Sequence, residues 1–191
     1  MDGTLPLLAN EKALVARATV EPAAFAAIYD HYFGRIYTYV RYRVRDAALA
    51  DDLTAAIFTR VLARLGDYDA ARAPFAGWLF TIARNAVNDH LRAARRQRWL
   101  SLDWLRDHVA DGPAPEAALI RNETRAALLV ALGRLNERER DLIGLKFGAQ
   151  LTNRRIAELT GLSESNVGVI VHRAIGRLRA DLRIQEGSDD E

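Results

Sequence analysis

Cysteine is absent from the sequence, which excludes disulfide bonds and thiolate metal sites. Long apolar runs are absent as well, because no stretch approaches the roughly 18 consecutive apolar residues that a membrane helix needs. The N-terminus lacks the basic segment followed by an apolar segment that marks a secretory signal. We therefore expect a soluble, cytoplasmic protein that does not insert into membranes.

Lysine is scarce: only Lys12 and Lys146 occur, and arginine supplies the rest of the 27 basic residues, which face 25 acidic ones. Arginine suits bidentate contact with phosphates and base edges, although a bias of this kind also arises from genome composition. Its local distribution is more informative, because residues 84–98 form a basic stripe that contains a lone Asp89. The arginines of this stripe are Arg84, Arg92, Arg95, Arg96 and Arg98.

The motifs of an enzyme are also missing. No phosphate-binding glycine loop, histidine-rich metal spacing or nucleophile motif occurs. Adjacent carboxylates such as Asp51 and Asp52 point about 100° apart on a helix, so they cannot work together as a general acid and base. We therefore expect a protein that is not an enzyme, with no catalytic residue, metal or cofactor.

Apolar residues recur at helical spacing through most of the chain and predict an all-α fold. Helices are expected over residues 22–40, 46–65, 75–98, 117–135, 142–147, 154–160 and 163–182. Residues 167–171 are β-branched with one glycine and favour a strand by propensity alone, but the apolar stripe around them continues at helical spacing. We therefore expect a helix there too.

Proline, glycine and aspartate concentrate near residues 101–116 and predict a flexible linker between two small helical domains. This divides the chain into an N-terminal extension (1–20), a first domain (21–98), the linker (99–116), a second domain (117–184) and an acidic tail (185–191).

The most specific motif, residues 151–167, has the layout of a helix-turn-helix. Ala157 supplies the small residue inside the first helix, and Gly161 breaks the turn. Leu162 supplies the apolar residue at the junction, and Ser163 can cap the second helix. An ordinary helical hairpin also uses a glycine and a serine cap, but it rarely has all four features in this order.

Residues 134–180, which include this motif, resemble region 4 of the extracytoplasmic-function sigma factors, which binds the −35 promoter element. Residues 25–96 resemble sigma region 2, with residues 51–58 in the helix that docks on RNA polymerase. Residues 75–92 resemble the segment that recognises and melts the −10 element. The resemblance implies a region 2 helical bundle joined to a region 4 helix-turn-helix. It also implies a sigma factor that binds RNA polymerase core and directs promoter-specific transcription initiation.

The resemblance implies the partners and the contact residues. The partners are RNA polymerase core, through its β′ coiled coil and β flap, promoter DNA and an anti-sigma factor. The implied polymerase-binding residues are Asp51, Asp52, Leu53, Ile57 and Phe58. The implied −10 contacts are Asp67, Tyr68, Asp69, Arg72, Trp78, Arg84, Asn85, Asp89, Arg92, Arg95 and Arg96. The implied −35 contacts are Arg154, Arg155, Ser163, Ser165, Asn166, Val169, His172, Arg173 and Arg177.

Composition alone leaves two of these assignments open. Residues 67–74 lie where the family captures a flipped base, but a plain surface loop has the same composition. Trp78 is placed to contact DNA, yet a tryptophan is more often a core residue.

Two stretches depart from the family pattern. Before Phe58 the family usually has a hydrophobic residue, Gln and Glu, whereas residues 54–57 hold no Gln or Glu. Where the family often has basic residues in its recognition helix, this chain has Gly168, Val169 and Ile170, which reduces direct hydrogen-bond readout of bases. Two alternatives remain: a stand-alone helix-turn-helix regulator with a sensing or dimerising first half, and an inactive sigma-like decoy.

Overall fold

Every element in the described part of the chain is helical. The computed structural model describes residues 11–100 and 116–186, with side chains over 11–97 and 124–182. In chain order the helices are α1 (Glu11–Ala18), α2 (Pro22–Val44), α3 (Ala47–Ala63), α4 (Phe75–Leu100), α5 (Glu116–Arg134), α6 (Glu137–Ile143), α7 (Asn153–Thr160) and α8 (Glu164–Glu186). A 3-10 turn, Leu65–Asp67, follows α3, and a π-helical turn, Gly144–Gly148, follows α6. The all-α fold expected from the sequence is confirmed.

Helices α1 to α4 form the first domain. Pro22 begins α2, where its missing N–H costs no helical hydrogen bond. The Asp46 side chain caps α3 by accepting a hydrogen bond from the Leu49 N–H at 2.7 Å. Between the helices lies a buried apolar core, whose members include Ile28, Ile36, Ile57, Val61, Leu79 and Phe80. The core fixes how α3 and α4 present their outer faces.

Helix α1 lies within the segment predicted to be an N-terminal extension. Its Val15 and Ala18 are buried against the first domain, and the Tyr32 hydroxyl donates to the Glu11 carboxylate. Residues 11–18 therefore belong to the first domain. The apolar pattern missed α1 because only these two of its eight residues are buried, which leaves no long stripe to detect.

Helix α6 begins at Glu137, whereas the apolar pattern predicted a helix only from residue 142, and that prediction was wrong. Its start is a capping box: Asn136 Oδ1 accepts from the Glu139 N–H at 3.0 Å, and Glu139 Oε2 accepts from the Asn136 N–H at 3.2 Å. The first turn is polar, so it carries no apolar periodicity. The remainder of the predicted segment forms the π-helical turn.

The helix-turn-helix expected over residues 151–167 is confirmed. Thr152 caps α7 by accepting from the Arg155 N–H at 3.2 Å. Gly161 then ends α7 in the left-handed region at φ +71°, a conformation that strains other residues. Ser163 accepts from the Asn166 N–H at 3.2 Å and starts α8, which continues as a helix through residues 167–171.

The two domains lie against each other. Tyr39 lies in the C-terminal half of α2, and its backbone is covered by the π-helical turn of the second domain. A Cβ added at Gly148 would lie 2.9 Å from the Tyr39 nitrogen, so only glycine permits this approach. The predicted linker, residues 99–116, falls mostly outside the described residues, as do most of the predicted tail and residues 1–10.

Candidate nucleic-acid and polymerase interface

The outer face of α8 is open to a partner. Its inner face is a buried stripe of Val167, Val171, Ala174 and Leu178, spaced to pack against the rest of the second domain. Seven of the nine predicted −35 residues lie on the opposite side of α8, along its flank or at its cap. All seven are exposed: Ser163, Ser165, Asn166, Val169, His172, Arg173 and Arg177. The structure therefore brings these side chains together on one accessible helix face.

The two arginines of this face differ in whether a carboxylate of the protein already binds them. The Arg177 guanidinium forms a fork with the Glu139 carboxylate of α6, at 2.9 and 2.8 Å, and stays half exposed. Arg173 forms no ion pair with any side chain that the structure describes. It is therefore available to contact a phosphate, whereas Arg177 would share its charge with Glu139.

The arginines at the start of α7 are also unequal. The Arg154 side chain is 82% exposed and its Nε lies 3.6 Å from Glu158. The Arg155 side chain is only 29% exposed, pairs with Glu158 and lies over Gly77 of α4. Arg154 is thus accessible to DNA, while part of Arg155 is covered by the first domain.

The loop before α4 is held in shape by its own side chains. Asp69 Oδ1 accepts from the Ala71 N–H at 2.8 Å, and the Tyr68 hydroxyl donates to the Ala73 carbonyl at 3.0 Å. The Tyr68 ring lies 5.4 Å from Trp78, which is half-buried and also contacts Phe75 at 5.6 Å. Trp78 is therefore neither wholly core nor wholly surface, and one side of the cluster remains accessible for stacking. Asp67, Asp69 and Arg72 are exposed around it.

The basic stripe of α4 is largely engaged within the protein. Arg92 pairs with Asp89, and Arg95 pairs with Glu137 of the second domain. Asn85 and Arg96 are exposed, and Arg96 has no ionic partner among the described side chains.

Arg84 of the basic stripe is largely covered by other residues, since only 26% of its side chain is exposed. Its Nε donates to Asp141 at 2.7 Å, and its Nη1 donates to the Leu159 carbonyl at 3.2 Å. Both acceptors belong to the second domain. The −10 contact predicted for Arg84 is therefore not available in this arrangement.

Helix α3 places the predicted polymerase contacts in two different environments. Asp51 and Asp52 are exposed, and Leu53 is half-buried. Ile57 and Phe58 are 0% and 3% exposed, so in this structure they offer almost no surface for the direct contacts predicted for them. They pack inside the first domain and hold α3 against α2, because an apolar stripe turns first to its own core.

The predicted polymerase contacts did not include Leu62, the exposed large apolar side chain of α3. Leu62 is 52% exposed and lies near the C-terminal end of the helix, beyond the two aspartates. An exposed leucine is unremarkable alone, but here it extends the outer face on which Asp51 and Asp52 lie. The signal in the sequence was its spacing from Asp51, three helical turns away on the same side.

Asp141 of α6 is a charged residue at the domain contact that the sequence analysis did not single out. It is buried, and it accepts from the Tyr39 hydroxyl at 2.9 Å. It also lies 2.9 Å from Arg43 Nη1 and 2.7 Å from Arg84 Nε. Burial, followed by the charge of Asp141, raises the pKa of Tyr39 well above its usual value, so the phenol stays a donor. One carboxylate of the second domain thus binds three donors of the first.

A cleft of about 560 Å³ opens beside this cluster, between α4 and the second domain. Its charged lining comprises Arg43, Arg84, Arg92, Arg95, Arg138, Glu137 and Asp141. Among the described side chains, no three of His, Asp and Glu come together in a way that could hold a metal ion. Within the same residues, no helix combines the length and the apolar content needed to cross a bilayer.

Two family models match the chain in the places where the two domains lie. The model described as Sigma-70 region 2 matches residues 28–97, and Sigma-70, region 4 matches residues 131–180. The fold and the exposed recognition helix thus define a two-domain DNA-binding protein of the sigma-70 class.

Comparison with individual relatives identifies the family within the sigma-70 class. The chain is 34% identical over 166 residues to the ECF RNA polymerase sigma factor BldN of Streptomyces coelicolor, covering 86% of this chain and 63% of that protein. It is 31% identical over 160 residues to the ECF sigma factor RpoE of Cereibacter sphaeroides, covering 83% of this chain and 86% of that one. The chain belongs to the extracytoplasmic-function RNA polymerase sigma factors. Such proteins bind RNA polymerase and direct transcription from particular promoters. Membership of this family does not favour the two alternatives, a stand-alone regulator and a decoy.

A solved structure shares the fold. The sigma factor RpoE of Bartonella quintana, crystallised with the anti-sigma factor NepR, matches with a TM-score of 0.66 and 21% identity, covering 93% of this chain and 99% of that one. Two helical domains of sigma region 2 and region 4 type are therefore the architecture of this protein.

Proposed function

We propose that the two domains divide promoter recognition, with the second binding the −35 element and the first binding the −10 element and RNA polymerase core. The observation that supports this division most directly is the exposed outer face of α8, the second helix of the helix-turn-helix, which Ser163 caps. This face carries Arg173, which has no ionic partner among the described side chains. A helix of this kind fits the major groove with its first turns toward the base edges.

The −35 contact is dominated by phosphates. Arg154 and Arg173 are accessible and can each neutralise a phosphate. Gly168 and Val169 have no side-chain donors or acceptors, so base reading falls to Ser165, Asn166 and apolar contact of Val169 with thymine methyl groups. The resulting preference among −35 sequences is soft.

The −10 contact is made by the loop before α4 and by the aromatic cluster behind it. Single-stranded bases stack on aromatic side chains, and Trp78 offers a partly exposed ring next to Tyr68. Asp69 is oriented by its bond to the Ala71 N–H, and its second oxygen lies 3.4 Å from Arg72 Nε in an exposed pair that a donor on a base can replace. Arg96, which has no ionic partner among the described side chains, adds a cation on the same helix as Trp78.

The polymerase contact is made by the outer face of α3. Asp51 and Asp52 provide two exposed carboxylates, and Leu62 provides exposed apolar surface on the same helix. Charge steers association, and apolar contact then contributes to affinity. Ile57 and Phe58 act indirectly by holding the helix in place.

Charge reversal at both aspartates, Asp51→Arg with Asp52→Arg, is expected to weaken binding to purified core polymerase by about 10-fold or more, since close charge pairs across interfaces contribute on the order of 1.5 kcal/mol or more. Binding is measured by titrating labelled protein with core polymerase. Asp30→Arg, an exposed aspartate on α2, is the matched control and should bind as the wild type does. Equal affinity for the double variant and the wild type would remove α3 from the polymerase interface.

We also propose that the chain has an anti-sigma partner, as the Bartonella RpoE does in its complex with NepR. The arginine-lined cleft between the domains offers such a partner a surface shared by both. Purification from the host should recover the protein with an inhibitory partner. Recovery of a partner-free, constitutively active protein would contradict this.

A further inference from the structure

The cleft beside Asp141 holds more positive charge than its carboxylates neutralise. Five arginines, from α2, α4 and α6, line it together with two carboxylates. Asp89 pairs with Arg92 from outside the lining, which brings the carboxylates to three. Arginines already bind both oxygens of Asp141 and one oxygen of Glu137. The cleft therefore favours a negatively charged ligand.

Two of the arginines have donors for which the described residues supply no acceptor. Arg138 lines the cleft, is exposed and has no ionic partner among the described side chains. The Arg43 side chain is only 4% exposed, and its Nε is buried without a hydrogen-bond partner in the described structure. A buried donor without an acceptor is unfavourable, so the cluster has room for a further acceptor.

The accessible arginines lie on both sides of the cleft. Arg92 and Arg95 of α4 have more than half of their side chains exposed, and Arg138 comes from α6 of the second domain. The carboxylates that pair with the two α4 arginines are also exposed, and exposed ion pairs are weak enough to be exchanged for a stronger acceptor. Guanidinium groups bind phosphate through two parallel hydrogen bonds. A ligand with several phosphate groups can therefore bind arginines of both domains at once.

The size and the rest of the lining fit a larger ligand than a single phosphate. A volume of about 560 Å³ falls in the usual range of small-molecule sites. Leu91, Leu142 and Leu162 add apolar surface to the charged lining. Asn88 Oδ1 accepts from Arg43 at 2.9 Å, and the Asn88 amide nitrogen has no hydrogen-bond partner among the described residues. The cleft thus combines charged donors for phosphates, apolar surface for the faces of a ring and an amide for a ring edge.

We propose that this cleft binds a nucleoside polyphosphate, with its phosphates on Arg92, Arg95 and Arg138 and its base against the leucine side chains. Both domains form the site, because the first two arginines belong to α4 and Arg138 belongs to α6. Arg92 and Arg95 are also among the −10 contacts implied by the sequence. A bound nucleotide therefore withholds them from promoter DNA, a consequence that, unlike binding itself, rests on the proposed function.

Binding is measured by isothermal titration calorimetry on the full chain, with ATP as the probe and about 0.15 M salt to screen non-specific attraction. One ATP should bind per chain. Tripolyphosphate lacks the base and leaves the leucines uncovered, so it should bind about 10-fold more weakly. Equal affinities for the two probes, or no saturable binding of ATP below about 1 mM, would overturn the proposal.

Two variants test whether both domains hold the ligand. Arg138→Ala and Arg92→Ala should each weaken ATP binding by about 10-fold, because each removes charge-assisted hydrogen bonds to phosphate. Both side chains are exposed, so the variants should fold, which circular dichroism checks. Arg179→Ala is the matched control, because it removes an exposed arginine outside the cleft lining and should bind ATP as the wild type does. Wild-type affinity in either cleft variant would overturn a site shared by the two domains.

The effect on promoter binding is measured with a fluorescent single-stranded oligonucleotide that carries the −10 element of a selected promoter. ATP at about ten times its dissociation constant should weaken oligonucleotide binding to the wild type by about 10-fold if the two ligands compete. The same ATP concentration should have much less effect on Arg138→Ala. Unchanged oligonucleotide binding in the presence of bound ATP would overturn the competition. A protein that binds ATP but no oligonucleotide would instead contradict the proposed function, while calorimetry would still support the nucleotide site.

Discussion

Arg173→Ala is expected to lower transcription from all promoters by a similar factor, whereas Asp69→Ala is expected to change the order in which promoters are used. Arg173 lies on the outer face of α8 without an ionic partner in the described structure, which suits a phosphate contact. Loss of one phosphate contact lowers the slope of log affinity against log salt by about 0.9. Phosphates are the same in every sequence, so the loss is uniform.

In the proposed division of promoter recognition the loop that holds Asp69 faces unpaired bases, and the Asp69 carboxylate is already oriented by the Ala71 N–H. A wrong base at a read position costs about 1–3 kcal/mol, which re-ranks promoters by about 5-fold to 150-fold. The measurement is transcription of a randomised promoter library by each variant. Arg179→Ala is the control for Arg173→Ala, because it also removes an exposed α8 arginine but lies nearly two helical turns further from the N-terminal turns that enter the groove. If Arg173→Ala re-ranks promoters and Asp69→Ala lowers them uniformly, the two roles are reversed.

Asp141→Ala is expected to lower the free energy of unfolding by about 3–5 kcal/mol, the usual cost of removing one partner of a buried ion pair. The reason is Arg43, whose side chain is only 4% exposed and would be left buried beside Arg84 without a counter-charge. Separation of the domains would return Arg43 to water, so the loss cannot exceed the free energy that holds the two domains together. If the substitution costs more than that, the domains should separate and unfold in two transitions.

Urea denaturation followed by circular dichroism measures this loss. Asp89→Ala is the matched control, because it removes an exposed pair with Arg92 and should cost no more than about 1 kcal/mol. A loss below 1 kcal/mol for Asp141→Ala, in a single transition like that of the wild type, would show that the cluster does not hold the domains together.

The features that the sequence predicted are those that short-range chemistry determines. The helix-turn-helix depends on Gly161 and Ser163, each of which acts on its immediate neighbours. Periodicity likewise located α8, because its buried stripe outweighs the β-branched propensity of residues 167–171. These signals lie within one or two helical turns and need no knowledge of tertiary contacts.

The features that the sequence missed depend on which segments meet in space. Asp141 lies 102 residues from Tyr39 and 57 from Arg84, so its role could not be read from spacing. Ile57 and Phe58 show the same limit: a stripe reveals that one face of α3 is apolar, but not whether a domain core or a partner covers it. Only the packing of α2 against α3 decides that.

Run-off transcription with purified core polymerase tests the central claim most directly. The template carries a promoter selected from a randomised library by the polymerase together with this protein. Core polymerase plus the protein should give a transcript of one defined length, and core polymerase alone should give none. If the protein binds core polymerase but yields no promoter-dependent transcript, it is a decoy. If it binds promoter DNA specifically without polymerase, it is a stand-alone regulator, and either result would contradict the account.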